Sequence, residues 1–449
     1  MLSYASRIKV LGRHIYEIKY EFTPQISAEV FRALSWSRPV PAAPLCPNLH
    51  TLDWSGLLDG TDEEEEIFGY LHLFLGPSVR HLEFNLYNAD FTRMSIILSL
   101  PRNYPGLTSV EINDYSDNDD KQDGCGTISD AVCQWNQLEL FSWSGCLSHR
   151  ALIHLAGFTK LQTMMVSIPD VSIINWQAHL STLQAPGFCA LRKAVITCDQ
   201  ILSCASLIDI TSPRQLDSFT LTVRNPPEAA AVWRLFQTLG TRCSHTTLTK
   251  ITVHNSRYIH TQPFNPINEE MFRPLLAFSN MAVVNISFPL AFRLGNGVLR
   301  DISTSWPRLR ALHINTMSGW GGQSQITLAG LIPLLSLPQL EELSIVINAS
   351  VVDHTLDMPP TGVSNTKIRY LNLADSVIEN EHSVAAFLSD VLPNVRQIRS
   401  WYPGEAAQNA SGSFADAKKY EARWNTVAAL IATFAEVREQ ERKAARKCE

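Results

Sequence analysis

Three groups of residues in this chain have types and spacings that could carry chemistry: an acidic loop, a pair of histidines and a set of nine cysteines. In DYSDNDDKQDGC (114–125), Asp114, Ser116 and Asn118 alternate as the oxygen donors of a calcium loop do. The sixth position is Asp119, where such a loop needs glycine for its sharp turn, and the twelfth is Cys125, where it needs a bidentate glutamate. The segment therefore reads as a solvated acidic loop. His149 and His154 are five residues apart, so one helix does not stack them squarely for a metal, and they read as packing or surface groups. The cysteines (Cys46, Cys125, Cys133, Cys146, Cys189, Cys198, Cys204, Cys243 and Cys448) include no C-x-x-C pair, which removes zinc ribbons and thioredoxin-type motifs. Cys198 and Cys204 read as small core residues. No P-loop, dinucleotide fingerprint, G-x-S-x-G elbow, H-E-x-x-H or kinase set occurs. The expectation is a protein that is not an enzyme, with no cofactor and no metal. A hydrolytic site concealed in the loops 114–125 or 255–268 would have to use Asp119 or His260.

The 449 residues are 45% hydrophobic with a net charge of −6, too apolar and too weakly charged for intrinsic disorder. The longest apolar window, Leu328 to Leu337, is short for a membrane span and is broken by Pro333. The opening MLSYASRIKV has no apolar signal region, so the expected setting is the cytoplasm or nucleus, with reduced thiols and no membrane. Charge is uneven: residues 1–150 hold 20 acidic and 11 basic side chains, much of the excess lying at Asp62 to Glu66 and Asp114 to Asp123. That balance argues against nucleic acid, which calls for a basic stripe.

A short pattern positions everything else. An apolar residue, two variable ones, an apolar, one variable and an apolar recur in PNLHTLDW, PSVRHLEF, PGLTSVEI and NQLELFSW, led by Leu49, Val79, Leu107 and Leu138. The series continues from Leu161, Leu191, Leu216, Leu248 and Val283, and closes at Leu309, Leu340, Ile368 and Val395. A degenerate first copy starts at Ile8 and Leu11. Twelve steps cover 346 residues, a period of about 28.8, at the top of the leucine-rich-repeat range. The last two apolar positions, two apart, suit a strand with one buried face, and the rest must return the chain to the same edge.

The returns at 61–75, 127–135, 228–240, 268–278 and 381–393 begin with acidic or capping residues and continue with apolar ones at helical spacing. Strand alternating with helix at constant pitch predicts parallel strands, each pairing with its neighbours. The predicted fold is an α/β leucine-rich-repeat solenoid, a right-handed horseshoe with parallel inner strands and outer helices, about 13 repeats and a C-terminal capping helix. The solenoid occupies 1–402 (1–45 a degenerate N-terminal repeat or cap), 403–412 is a linker, and 413–449 is an amphipathic helix. Tyr420, Trp424, Val427, Ile431 and Phe434 supply its apolar stripe.

Residues flanking the central apolar position of each strand face the concave side. They are Asp53, Glu83 and Glu111, then Ser142, Thr163, Lys193, Thr220 and Thr252, and finally His313, Glu342, Tyr370, Asn372, Arg399 and Trp401. The aromatic and arginine members of the late group are residue types enriched at binding hot spots. The binding surface is therefore expected at His313, Glu342, Tyr370, Asn372, Arg399 and Trp401, with Asp53, Glu83 and Glu111 as its acidic end. A small-molecule pocket under the long steps 216→248→283 is the alternative.

The segments YASRIKVL, VFRALSWSRP, LCPNLHTLDW, FLGPSVRHLEF, LSHRALIHLAGFTKLQTM and LPQLEELSI resemble F-box/leucine-rich-repeat proteins of the divergent kind found in mushroom-forming fungi, over Ser3 to Tyr402. The resemblance implies a substrate receptor whose repeats hold a protein target while an F-box docks the Skp1-type adaptor of a cullin ubiquitin ligase; the chain itself is expected to be a monomer. A helical F-box does not fit ahead of the strand near Ile8, and no displaced copy follows, so the expectation is that it was lost or that the chain is a fragment or N-terminally shortened product, with adaptor and cullin as partners if an F-box is supplied elsewhere.

Overall fold

The computed structural model describes residues 2–12, 27–37, 43–54, 67–86, 91–114, 123–170, 187–256, 265–316, 319–321, 324–350, 363–401 and 414–448. The first positions of the recurring pattern are buried in every copy but the one read at Val283, from Leu49 at 0% exposed to Val395 at 2%. Each precedes a strand whose own residues alternate between core and surface, as in β7 (Lys193–Cys198) and β9 (Lys250–Asn255). Burying one face of every strand drives this alternation.

The chain forms two units, Met1–Thr197 with Ile210–Arg214, and Cys198–Asp209 with Gln215–Glu449. In the first unit the strands follow chain order: β1 (Val10–Leu11), β2 (Thr51–Asp53), β3 (His81–Leu86), β4 (Ser109–Asp114), β5 (Leu140–Cys146), β6 (Thr163–Ile168) and β7. In the second they are β8 (Ser218–Val223), β9, β11 (Val283–Ser287), β13 (Ala311–Ile314), β14 (Glu342–Ser344), β16 (Tyr370–Ala374) and β18 (Gln397–Ser400). Two short parallel pairs lie outside this ladder, β10 (Ile267–Asn268) with β12 (Phe292–Arg293), and β15 (Asn348–Ala349) with β17 (Val377–Ile378). The architecture is α/β, with fourteen strands of a parallel sheet divided seven to each unit. Parallel neighbours require a crossover between them, which the helical returns provide.

Register is set one turn at a time. His50 N donates to Lys9 O, Arg80 N to His50 O, Thr108 N to Arg80 O and Glu139 N to Thr108 O. The degenerate copy fits the same scheme, since Leu11 pairs with Leu52. One position moves. Val284 pairs with Ile251, so Met281, not Val283, takes the leading core position of its turn and is fully buried.

The returns are helical, with local departures. Asp123–Val132, Ala229–Arg242 and Glu381–Val391 answer three of the expected helices. Asn380 starts the last by accepting from Ser383 N. The expected helix at 268–278 splits into Glu269–Phe272 and a 3-10 turn, Arg273–Ala277. Pro274 has no N–H to continue an α-helical ladder there. Of the expected 61–75 helix, residues 61–66 lie outside the described residues and Gly69–Leu73 is a 3-10 turn.

The helix Phe414–Cys448 packs on Glu381–Val391 and on β18. Trp424, Val427 and Ile431 are buried in that contact. Trp424 Nε1 donates to Ser376 O at 2.9 Å, and Arg423 donates to Ile378 O at 2.7 Å. Farther along, Arg438 donates to Ala386 O and reaches Ser389 Oγ. The 403–412 linker lies outside the described residues. No helix among the described residues is long and apolar enough to cross a membrane.

Candidate functional site

In-register parallel strands stack equivalent side chains at the strand spacing of about 4.8 Å. In the first unit, Asp53 pairs with Glu83, Glu83 with Glu111 and Glu111 with Ser142. The row two residues earlier runs Thr51, His81, Ser109, Leu140 and Thr163. The two rows meet around His81. Its Nδ1 lies 2.6 Å from Ser109 Oγ, and its Nε2 lies 3.8 Å from Glu111 Oε1. Asn113 donates to Glu83 Oε1 at 3.3 Å. Among the described residues, one ligand atom from each of His81, Glu83 and Glu111 lies within 4.8 Å of the others.

Electrostatics follow from this crowding. Partial burial, then the charges of Asp53 and Glu111, push the Glu83 carboxyl above its ordinary range. Burial and Asp53 do the same to Glu111, while Lys193 on β7 pulls the other way. His81 is pushed down by burial against the opposing pull of Glu83 and Asp53. A neutral imidazole beside converging carboxylates offers nitrogen and oxygen donors to a cation.

In the second unit, β9, β11, β13 and β14 align Thr252, Asn285, His313 and Ser344, and β16 and β18 add Asn372 and Arg399. His313 Nδ1 lies 2.8 Å from Ser344 Oγ, and its Nε2 lies 3.1 Å from Glu342 Oε2. Serine, histidine and glutamate here have the contacts of a nucleophile, base and orienting acid. Ser344 is only 4% exposed. Tyr370, at the start of β16, is 40% exposed.

Most of the expected face residues thus lie on one sheet face, in two separate groups. Thr220 and Thr252 fill neighbouring positions of the second group's row. Four residues depart from the expectation of free exposure, among them Ser142 at 6% exposed. Asp53 is 8% exposed, and Asn372, equally buried, turns its Oδ1 to accept from Ala374 N at the bulge that ends β16. Trp401 is corrected outright. It is 4% exposed, stacks on Tyr420 of the C-terminal helix at 5.2 Å, and donates to Ser376 O at 2.7 Å. That helix covers it, so it is no part of an open surface. His81, Ser109 and Ser344 were not singled out by the sequence, although they occupy the flanking positions that the repeat pattern defines.

The other chemical candidates resolve as packing or fall outside the described residues. His154 Nε2 lies 2.7 Å from Trp135 O, and its ring meets Phe158 edge-on. Cys198 and Cys204 are buried, and Cys243, also buried, is pushed up to about 12 by desolvation. The calcium-like loop positions 115–122, with Asp119, and residues 257–264, with His260, lie outside the described residues. No protein-family model matches the chain, and no curated protein matches it.

Proposed function

We propose that the chain is a leucine-rich-repeat solenoid of the right-handed horseshoe type, a non-enzymatic module that binds a protein partner through the open strand face of its second unit. The observation that carries this reading is the mixed group of exposed Glu342 and Tyr370 with part-buried His313 and Arg399 on neighbouring parallel strands. A half-exposed tyrosine and an arginine on a rigid sheet give a partner apolar area and directed hydrogen bonds at low entropic cost. The repeat resemblance supplies the class: the target-recognition part of an F-box-type ubiquitin ligase receptor, joined to a Skp1-type adaptor and a cullin by an F-box supplied elsewhere. A small-molecule reading would want a pocket over the strand face. The cavity of about 380 Å³ in the second unit lies instead among return residues, including Asp209, Arg234, Thr238 and Pro274.

The test is a photo-crosslinking residue placed at position 370, compared with one at position 233, where Trp233 is exposed on a return helix. Position 370 is expected to yield a discrete protein adduct that Arg399→Glu abolishes, with adaptor and cullin co-purifying. Equal adducts from both positions would sink the surface. An adduct without adaptor or cullin would sink the ligase assignment.

A further inference from the structure

The three strands β2, β3 and β4 bring one imidazole and three carboxylates to a single patch, and the imidazole is already oriented. We propose that His81, Glu83 and Glu111 bind one divalent transition-metal ion, Mn²⁺ or Zn²⁺, with Asp53 as the adjoining acceptor. This rests on the geometry of the first unit and not on the protein-binding reading.

Three observations carry it. One ligand atom from each of His81, Glu83 and Glu111 lies within 4.8 Å of the others. Ligands around a four-coordinate ion with bonds near 2.1 Å stand about 3.4 Å apart, so these part-exposed side chains need close by little more than 1 Å. The donor set is mixed, and imidazole with carboxylate suits manganese or zinc better than calcium or magnesium, which prefer oxygen alone. Ser109 holds His81 Nδ1 and Asn113 donates to Glu83, the outer contacts that fix ligating side chains in place.

The test uses the full chain stripped of metal by a chelator and titrated with Mn²⁺, the free ion being read by electron paramagnetic resonance. Mn²⁺ has little affinity for thiols, so the cysteines do not compete. The expected result is one Mn²⁺ per chain at micromolar affinity, displaced by Zn²⁺ and weakened at least about tenfold in Glu111→Gln and in His81→Gln. Glu342→Gln, which removes the corresponding carboxylate of the second unit, is expected to bind as the wild type does. Melting curves recorded on each variant confirm that the fold is retained. Wild type that leaves Mn²⁺ and Zn²⁺ free, or equal affinity in folded Glu111→Gln and His81→Gln, overturns the site. So does a patch that ignores both ions and binds a lysine-rich peptide. None of these failures touches the Tyr370 and Arg399 surface.

Discussion

His81 in the first unit stands 2.6 Å from Ser109 and 3.8 Å from Glu111, while His313 in the second stands 2.8 Å from Ser344 and 3.1 Å from Glu342. In both, a histidine meets a serine directly across to the next strand and a glutamate two residues along that strand. The glutamate follows its serine in the first unit and precedes it in the second. Surroundings separate the two. Glu111 is 22% exposed and shares its row with Glu83 and Asp53, whereas Glu342 is 67% exposed and the neighbouring row ends in Arg399. The same backbone geometry thus yields a cation-seeking patch in one place and a solvated hydrogen-bonding face in the other. Register makes the contact; burial and neighbouring charge decide what it does.

The comparison can be broken or sharpened by experiment. The largest effect is expected from Trp424→Ala, which removes a fully buried indole and its bond to Ser376. A loss of about 3–5 kcal/mol is expected. Hydrogen exchange should show lost protection at β16, β17 and β18 and little change at β3 and β4, because repeats depend on their immediate neighbours. A uniform loss would mean that the two histidine sites cannot be treated apart.

Next comes pH. Asp375, 6% exposed, is pushed up from 3.8 to about 6 by burial, against the backbone bonds it accepts from Trp320 and Gly321. Between those values the folded state keeps a proton that the unfolded chain has released, so stability falls as pH rises from about 4 to 6 and stays lower above it. The contribution is on the order of 3 kcal/mol. Denaturant midpoints for the second unit should rise on going from pH 7 to pH 5, and Asp375→Asn should flatten that slope.

A smaller contrast separates the faces themselves. In metal-free protein Glu83→Gln is expected to raise stability by about 0.5–1 kcal/mol, since it relieves repulsion from Asp53 and Glu111. Glu342→Gln is expected to stay within about 0.5 kcal/mol, as the Glu342 side chain is itself 67% exposed. Paired thermal melts decide this, and equal responses would erase the distinction. The smallest signal is spectroscopic: nuclear magnetic resonance of the His81 ring in metal-free protein should show titration below the ordinary imidazole range.

Much of this was legible in the residues. Twelve of the thirteen leading positions were placed correctly because a strand with one buried face fixes apolar residues at rigid spacing. The thirteenth slipped because MAVVNISF offers consecutive apolar candidates, and pairing with β9, absent from any local pattern, chooses Met281. Trp401 departs from its strand pattern for a similar reason. Its strand position points to the open face, but residues more than a dozen positions later return to cover it. Glu83 and Glu111 were found because the central flanking position was read along each strand. His81 and Ser109 form no motif along the chain, because they meet by stacking between strands 28 residues apart.

The turn-by-turn pairing of β2 to β3 and β3 to β4 carries one more consequence. Each polar cluster is spelled across successive coils, one letter per coil. Duplicating or excising a whole coil would leave the interior spacing intact and the sheet continuous, yet it would bring His81 beside a different neighbour. Insertion or loss of a whole turn at β3 or β4 is therefore expected to disrupt the polar cluster even where the sheet pairing is kept.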